Sequence, residues 1–151
     1  MPAIRTEIES PFRRPPAWAV WSLRLASLQC LFWGPFIILT PEISGRVYGF
    51  GKPLTDVFLW QGSGLIIFLF GIGYLIASND PFRHWLMVLI GLLAKVLGPV
   101  GMLWSVLTGQ VSSDVLRLIP LHDLLWWIPF TMIVLLRNSH AGAALRTESD
   151  R

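Results

Sequence analysis

Long apolar runs alternate along the chain with short polar, glycine- or proline-bearing interruptions. Residues 17 to 39, 57 to 77, 82 to 108 and 115 to 136 each supply the ~20 residues that a helix needs to cross a bilayer core. The first run is too long for a signal-peptide core and no small-residue cleavage site follows it, so it reads as a retained span. The interruptions carry helix-boundary chemistry. Ser78-Asn79-Asp80-Pro81 offers an N-cap aspartate and a proline for the first helical position, and Ser112, Ser113 or Asp114 can cap the last run. Short connections of this kind make successive spans antiparallel neighbours. The pattern predicts an all-α membrane protein, an antiparallel four-helix transmembrane bundle over residues 17–137, with polar tails at 1–16 and 138–151.

The loop after the first span behaves differently. Thr40-Pro41-Glu42 suits a short interfacial turn, while Gly45, Gly49 and Gly51 break any long helix. Tyr48 and Phe50 fit the belt where aromatic rings meet headgroups, and the loop is alternatively a lid over the mouth of the bundle.

Composition agrees with insertion: 54% of residues are hydrophobic and only 14% charged, outside the usual range of soluble domains. The net charge of +3 comes from basic residues scattered at segment ends without an aromatic-interleaved basic face, so it points to the lipid bilayer and not to nucleic acid. The single cysteine, Cys30, excludes an intramolecular disulfide and a thiolate zinc site.

Polar residues inside the apolar runs are the candidate chemistry. Lys95 sits near the middle of the third run, where a charge costs about 2.5–3.5 kcal/mol on insertion scales and needs a partner, a wet cavity or a route to the surface. Pro99 lacks the N–H that would bond the Lys95 carbonyl four residues earlier, so the charge and a backbone irregularity fall at one level. Asp123 is expected to face Lys95 across the bundle, with His122, Arg24 and Gln61 completing an intramembrane polar cluster. Arg24 is also shallow enough to snorkel to the headgroups. In the first span Arg24, Ser27, Leu31 and Gly34 share a face, leaving Val20, Leu23 and Phe32 for lipid. Small residues recur at helical spacing in the second and third runs. Gly64, Gly71, Gly91, Gly98 and Gly101 predict a tightly packed seam between those two spans.

The segments GIGYLIASNDPFRHWLMVLIGLLAKVLGP (71–99) and HDLLWWIPF (122–130) resemble a group of small bacterial inner-membrane proteins with four spans, and more loosely the DoxX-type four-helix membrane proteins. In that pattern an asparagine often precedes the aspartate, where this chain has His122. The resemblance implies the four-span count, stresses Lys95 and Asp123, and brings no catalytic residue, cofactor or metal.

No nucleophile-elbow, zincin or phosphate-loop pattern is present, and Gly71-Ile72-Gly73 lies in an apolar helix without the strand a dinucleotide fingerprint requires. His84 is expected at the opposite membrane end from His122, which argues against a shared metal. The leading expectation is a non-catalytic module of a bacterial inner membrane that binds a lipid, a quinone or a partner membrane protein, a second copy of itself included. A small proton-coupled permease and an intramembrane enzyme on a lipid-like substrate, both using Lys95 and Asp123, are the alternatives.

Overall fold

The computed structural model describes the backbone of residues 15–51 and 53–149 and the side chains among them up to residue 137. Of the expected amino-terminal tail, residues 1–14 lie outside the described residues, as does Lys52. Five α-helices follow in order among the described residues: α1 (Ala17–Leu39), α2 (Pro41–Val47), α3 (Val57–Ala77), α4 (Trp85–Leu107) and α5 (Leu125–Ser149). A 3-10 turn, Ser113–Leu118, and a π-helical turn, Pro120–Leu124, lead into α5. Four stretches, Ala17–Leu39, Val57–Ala77, Trp85–Leu107 and Ser113–Arg137, are long and apolar enough to cross a membrane. In lipid, backbone N–H and C=O groups have no water to bond, so helices that satisfy them internally are the favoured form for such runs. The four long elements pack as an antiparallel all-α bundle.

Three boundaries differ from those expected. Regular helix in the third span begins at Trp85, because residues 81–84 form turns whose first N–H groups are held by Asp80. Its carboxylate accepts from the Arg83 N–H at 3.1 Å and its carbonyl from the His84 N–H at 3.1 Å. The fourth span is not one regular helix from residue 115: Pro120 has no N–H to give to the preceding turn, and the chain passes from 3-10 through π to α geometry around it. The expected carboxy-terminal tail continues as helix through Ser149, in keeping with the high helix propensity of Ala141, Ala143, Ala144, Leu145 and Arg146.

The bundle is built as two helix pairs. α1 lies along α3 over most of its length, and α4 lies along α5; contact between the pairs is thinner. Small residues explain the first pair. A Cβ placed on Gly64 would come within 2.9 Å of the Gly34 carbonyl and of Ile37, so the two backbones approach as closely as glycine alone permits. Ser27, fully buried, donates its hydroxyl to the Gly71 carbonyl at 2.7 Å and fixes the register of the pair. The Gln61 amide donates to the Ile38 carbonyl at 2.8 Å near the other end.

This corrects the expected seam between the second and third spans. α3 and α4 do meet near their short connection, where the Tyr74 hydroxyl abuts Gly91 and Met87 abuts Gly73. Farther along α4, however, Gly98 and Gly101 are exposed, and a Cβ added at either would have no neighbouring atom within 4 Å. The helices diverge from the connection, so small residues beyond the first two turns face open space. Leu23 is likewise not lipid-facing: it is fully buried in the core with Ala19, Ala26, Phe130 and Ile133. At the connection end, the Arg137 guanidinium lies 3.3 Å from the centre of the Trp85 ring and ties α5 to α4.

Candidate functional site

Where the two pairs diverge they leave a cavity of about 310 Å³, lined from α1 by Gln29, Cys30 and Trp33, from α3 by Ser63, Ile66, Ile67, Phe70 and Tyr74, and from α4 by Ala94 and Lys95. Tyr48, His122 and Asp123 complete it. Ile66 and Ala94 are both exposed on the outer surface of the bundle, so the cavity has a rim between α3 and α4.

Lys95 organises the floor. Its ammonium donates to the His122 carbonyl at 2.6 Å and stands 3.7 Å from an Asp123 carboxylate oxygen. The residue is only 9% exposed, so this pair and this carbonyl replace most of its water. Its own carbonyl is the one Pro99 leaves without a helical donor, and the Trp127 indole N–H takes that place at 3.0 Å. Lys95 therefore joins α4 to the π turn and α5 through both its side chain and its backbone. The π turn matters here. One extra residue within the turn shifts the register of side chains and carbonyls, and Leu125 reaches back to the Pro120 carbonyl in consequence. Successive helical residues point about 100° apart, and the structure uses that divergence. Asp123 turns to Lys95, while the His122 ring turns to the aromatic wall.

That wall comes from α1 and the loop after α2. The His122 ring stacks nearly parallel to Tyr48, with centroids 5.4 Å apart and planes at 9°, and meets Trp33 edge-on at 4.6 Å. Neither imidazole nitrogen, both closed off from solvent, has a hydrogen-bond partner of good geometry; the Leu118 carbonyl is at most a loose one. Tyr48 is held in place by its neighbour. Gly49 adopts φ +91°, and a Cβ there would lie 2.6 Å from the Asp114 backbone, so only glycine allows the loop to close onto the 3-10 turn. Burial, with the Asp123 charge second, pushes the Tyr48 hydroxyl well above the usual phenol range, leaving it a neutral group. The loop thus covers one end of the cavity, as the lid alternative had it, and Tyr48 is a wall residue more than a headgroup contact.

Of the residues expected in the polar cluster, Lys95, Asp123 and His122 meet in this cavity. Arg24 and Gln61 do not. Arg24 is exposed on α1, its guanidinium 5.3 Å from the Trp21 ring centre, and Gln61 is engaged with Ile38 outside the cavity lining. The missing polar partner is Gln29. Its amide donates to the Leu121 carbonyl at 3.1 Å and its oxygen accepts from the Trp126 indole at 2.6 Å, tying α1 to the π turn and to the first turn of α5, on either side of His122. No periodicity marks Gln29, because a single neutral amide on a helix has no sequence-local signature. Among the described residues no group of three or more His, Cys, Asp or Glu side chains is placed to hold a metal ion.

Fold and cavity together define a class: a multi-pass helical membrane protein with an aromatic-walled cavity around a charged pair within its spans. No protein-family model, curated protein or solved structure matches the chain.

Proposed function

We propose that this protein is a non-catalytic binding module of a bacterial inner membrane, whose cavity takes up a small lipid-soluble molecule from the bilayer. The observation that carries this reading is the cavity itself. Its ~310 Å³ falls at the lower edge of small-molecule sites, roughly 300–1,000 Å³, and it joins apolar and aromatic walls to a few convergent polar groups, as such sites do. Its rim between α3 and α4 faces the region that acyl chains would occupy, so a ligand dissolved in the membrane has a direct lateral route. The test is purification of the full chain in mild detergent followed by mass spectrometry of bound small molecules, for the natural sequence and for Ala94→Trp, which places an indole at the rim. A near-stoichiometric lipid-soluble compound that is lost in Ala94→Trp supports the reading. No such compound, or equal retention by the variant, overturns it.

The mid-span charge pair also favours a second reading, a small proton-coupled permease, since ionisable residues at such depth often mark ion pathways. Proton flux into proteoliposomes that disappears in Asp123→Leu would select it over a binding module.

The distribution of basic residues supports an orientation. Counted along the sequence of a four-span chain, Arg5, Arg13, Arg14, Arg83, Arg137, Arg146 and Arg151 belong to one side, and Arg46, Lys52 and Arg117, the last at the entry of the fourth span, to the other. By the positive-inside rule the chain before the first span and after the fourth span, which ends at Arg137, lies on the cytoplasmic side. A reporter fused after Arg151 should be active when it requires the cytoplasm and silent when it requires the external compartment; the reverse pattern refutes the orientation.

A further inference from the structure

We propose that the molecule held in the cavity is a membrane-dissolved quinone or quinol, its ring lodged against the aromatic wall beside Lys95 and His122 and its hydrocarbon tail leaving between α3 and α4. This inference rests on the reading that the cavity takes its ligand from the bilayer, and adds the ligand's chemical class.

Depth is the first argument. Lys95 lies ten residues from Trp85 and twelve from Leu107 within α4, about 15 and 18 Å from the two ends at ~1.5 Å per residue. In a hydrocarbon core of ~30 Å that is close to the midplane. A phospholipid headgroup drawn to this level would carry its phosphate out of the interface, with the desolvation penalty that charge at the bilayer centre brings. A neutral ring with oxygen at its edge carries no such penalty and is at home there.

Hydrogen-bonding capacity is the second. Lys95 and Asp123 line the cavity beside His122, whose ring nitrogens are closed off from it and have no hydrogen-bond partner of good geometry beyond a loose contact with the Leu118 carbonyl, whereas buried polar groups are almost always paired. The Lys95 ammonium has three donors for the His122 carbonyl and the Asp123 carboxylate, so one remains, and the imidazole adds a donor and an acceptor once its ring turns toward a ligand. An acyl chain or other hydrocarbon would leave all of this capacity unused. A quinone carbonyl accepts from it, and a quinol hydroxyl can also donate to the imidazole or to Asp123.

Shape is the third. Trp33, Tyr48 and Phe70 present flat apolar surfaces, which suit the face of a ring better than a flexible chain. The cavity's volume of about 310 Å³ holds a head and not a long tail, and the exposed rim at Ile66 and Ala94 gives the tail its exit.

The test uses the full chain in lipid nanodiscs and two probes with the same decyl tail, a decyl-benzoquinone and decylbenzene, with saturable binding measured by equilibrium dialysis. The expected result is at least tenfold tighter binding of the benzoquinone to the natural sequence, loss of that preference in His122→Phe, and loss of saturable binding of both probes in Ala94→Trp. Should His122→Phe not fold, the preference of the natural sequence between the probes and the Ala94→Trp result still decide. Equal binding of the two probes, abolished by Ala94→Trp, overturns the quinone assignment and leaves the binding module standing. Absence of saturable binding of either probe to the natural sequence overturns the quinone assignment, and the co-purification experiment above then decides the module separately.

Discussion

Lys95→Met or Asp123→Leu alone should each destabilise the bundle by about 3–5 kcal/mol, and the two together by much less than their sum. The two groups face each other at 3.7 Å between α4 and the π turn, with side chains 11% and 24% exposed. Asp123→Leu strands an ammonium whose remaining acceptor is the His122 carbonyl, and Lys95→Met strands a carboxylate beside an empty donor position. Removing both deletes the two desolvated charges at once. The His122 carbonyl then keeps whatever its own helix supplies, and Trp127 still binds the Lys95 main-chain carbonyl, since that contact does not depend on the side chain. The measurement is a double-mutant cycle on reversible unfolding in mixed micelles. Strictly additive losses would mean that the pair is uncoupled, and the polar centre would have to be abandoned as an energetic unit.

Gly34→Ala should cost more than any other single-methyl addition among the span glycines of the α1–α3 pair, about 1–3 kcal/mol or more, because it over-packs a backbone contact. A Cβ on Gly34 would lie 2.7 Å from the Phe68 Cβ, 2.8 Å from the Phe68 nitrogen and 2.9 Å from the Gly64 carbonyl. Those neighbours are main chain or fixed to it, so the helices themselves must separate, and the Ser27 bond to Gly71 would be stretched with them. Gly98→Ala is the matched control. It meets open space on α4 and should be neutral or raise stability by up to ~1 kcal/mol through helix propensity. Thermal unfolding of the two variants separates the cases: equal melting temperatures would show that the close seam does not lie between α1 and α3.

The contrast between Gly34 and Gly98 shows where reading a pattern stops. Spacing identified stripes of small residues in the apolar runs, and those on α3 do lie in a seam. Which helix fills a stripe is a property of the partner. α3 turns Gly64 and Gly71 to α1, while α4, tethered to α3 by a short connection, diverges from it before reaching Gly98. Arg24 and Gln61 illustrate the same limit for polar residues. Arg24 points outside, over Trp21, and Gln61, one turn into α3, is spent on Ile38.

By itself the sequence determined that the chain is helical and crosses the membrane, because apolar runs of this length have few other ways to satisfy their backbone in lipid. It also singled out Lys95 and Asp123, since a charge in such a run is too costly to be incidental, and Pro99 as the source of a free carbonyl at the lysine. Tertiary structure alone decided what meets them. Trp127 answers Pro99 from 32 positions beyond Lys95, and Gln29 reaches Leu121 and Trp126 across 92 and 97 positions. The π turn exposes the His122 carbonyl to Lys95, and the cavity exists because two tightly packed helix pairs diverge. Local hydrophobicity and backbone chemistry act along the chain and can be read there. Rotation, register and divergence of packed helices are set by contacts between distant residues, and no local signal encodes them.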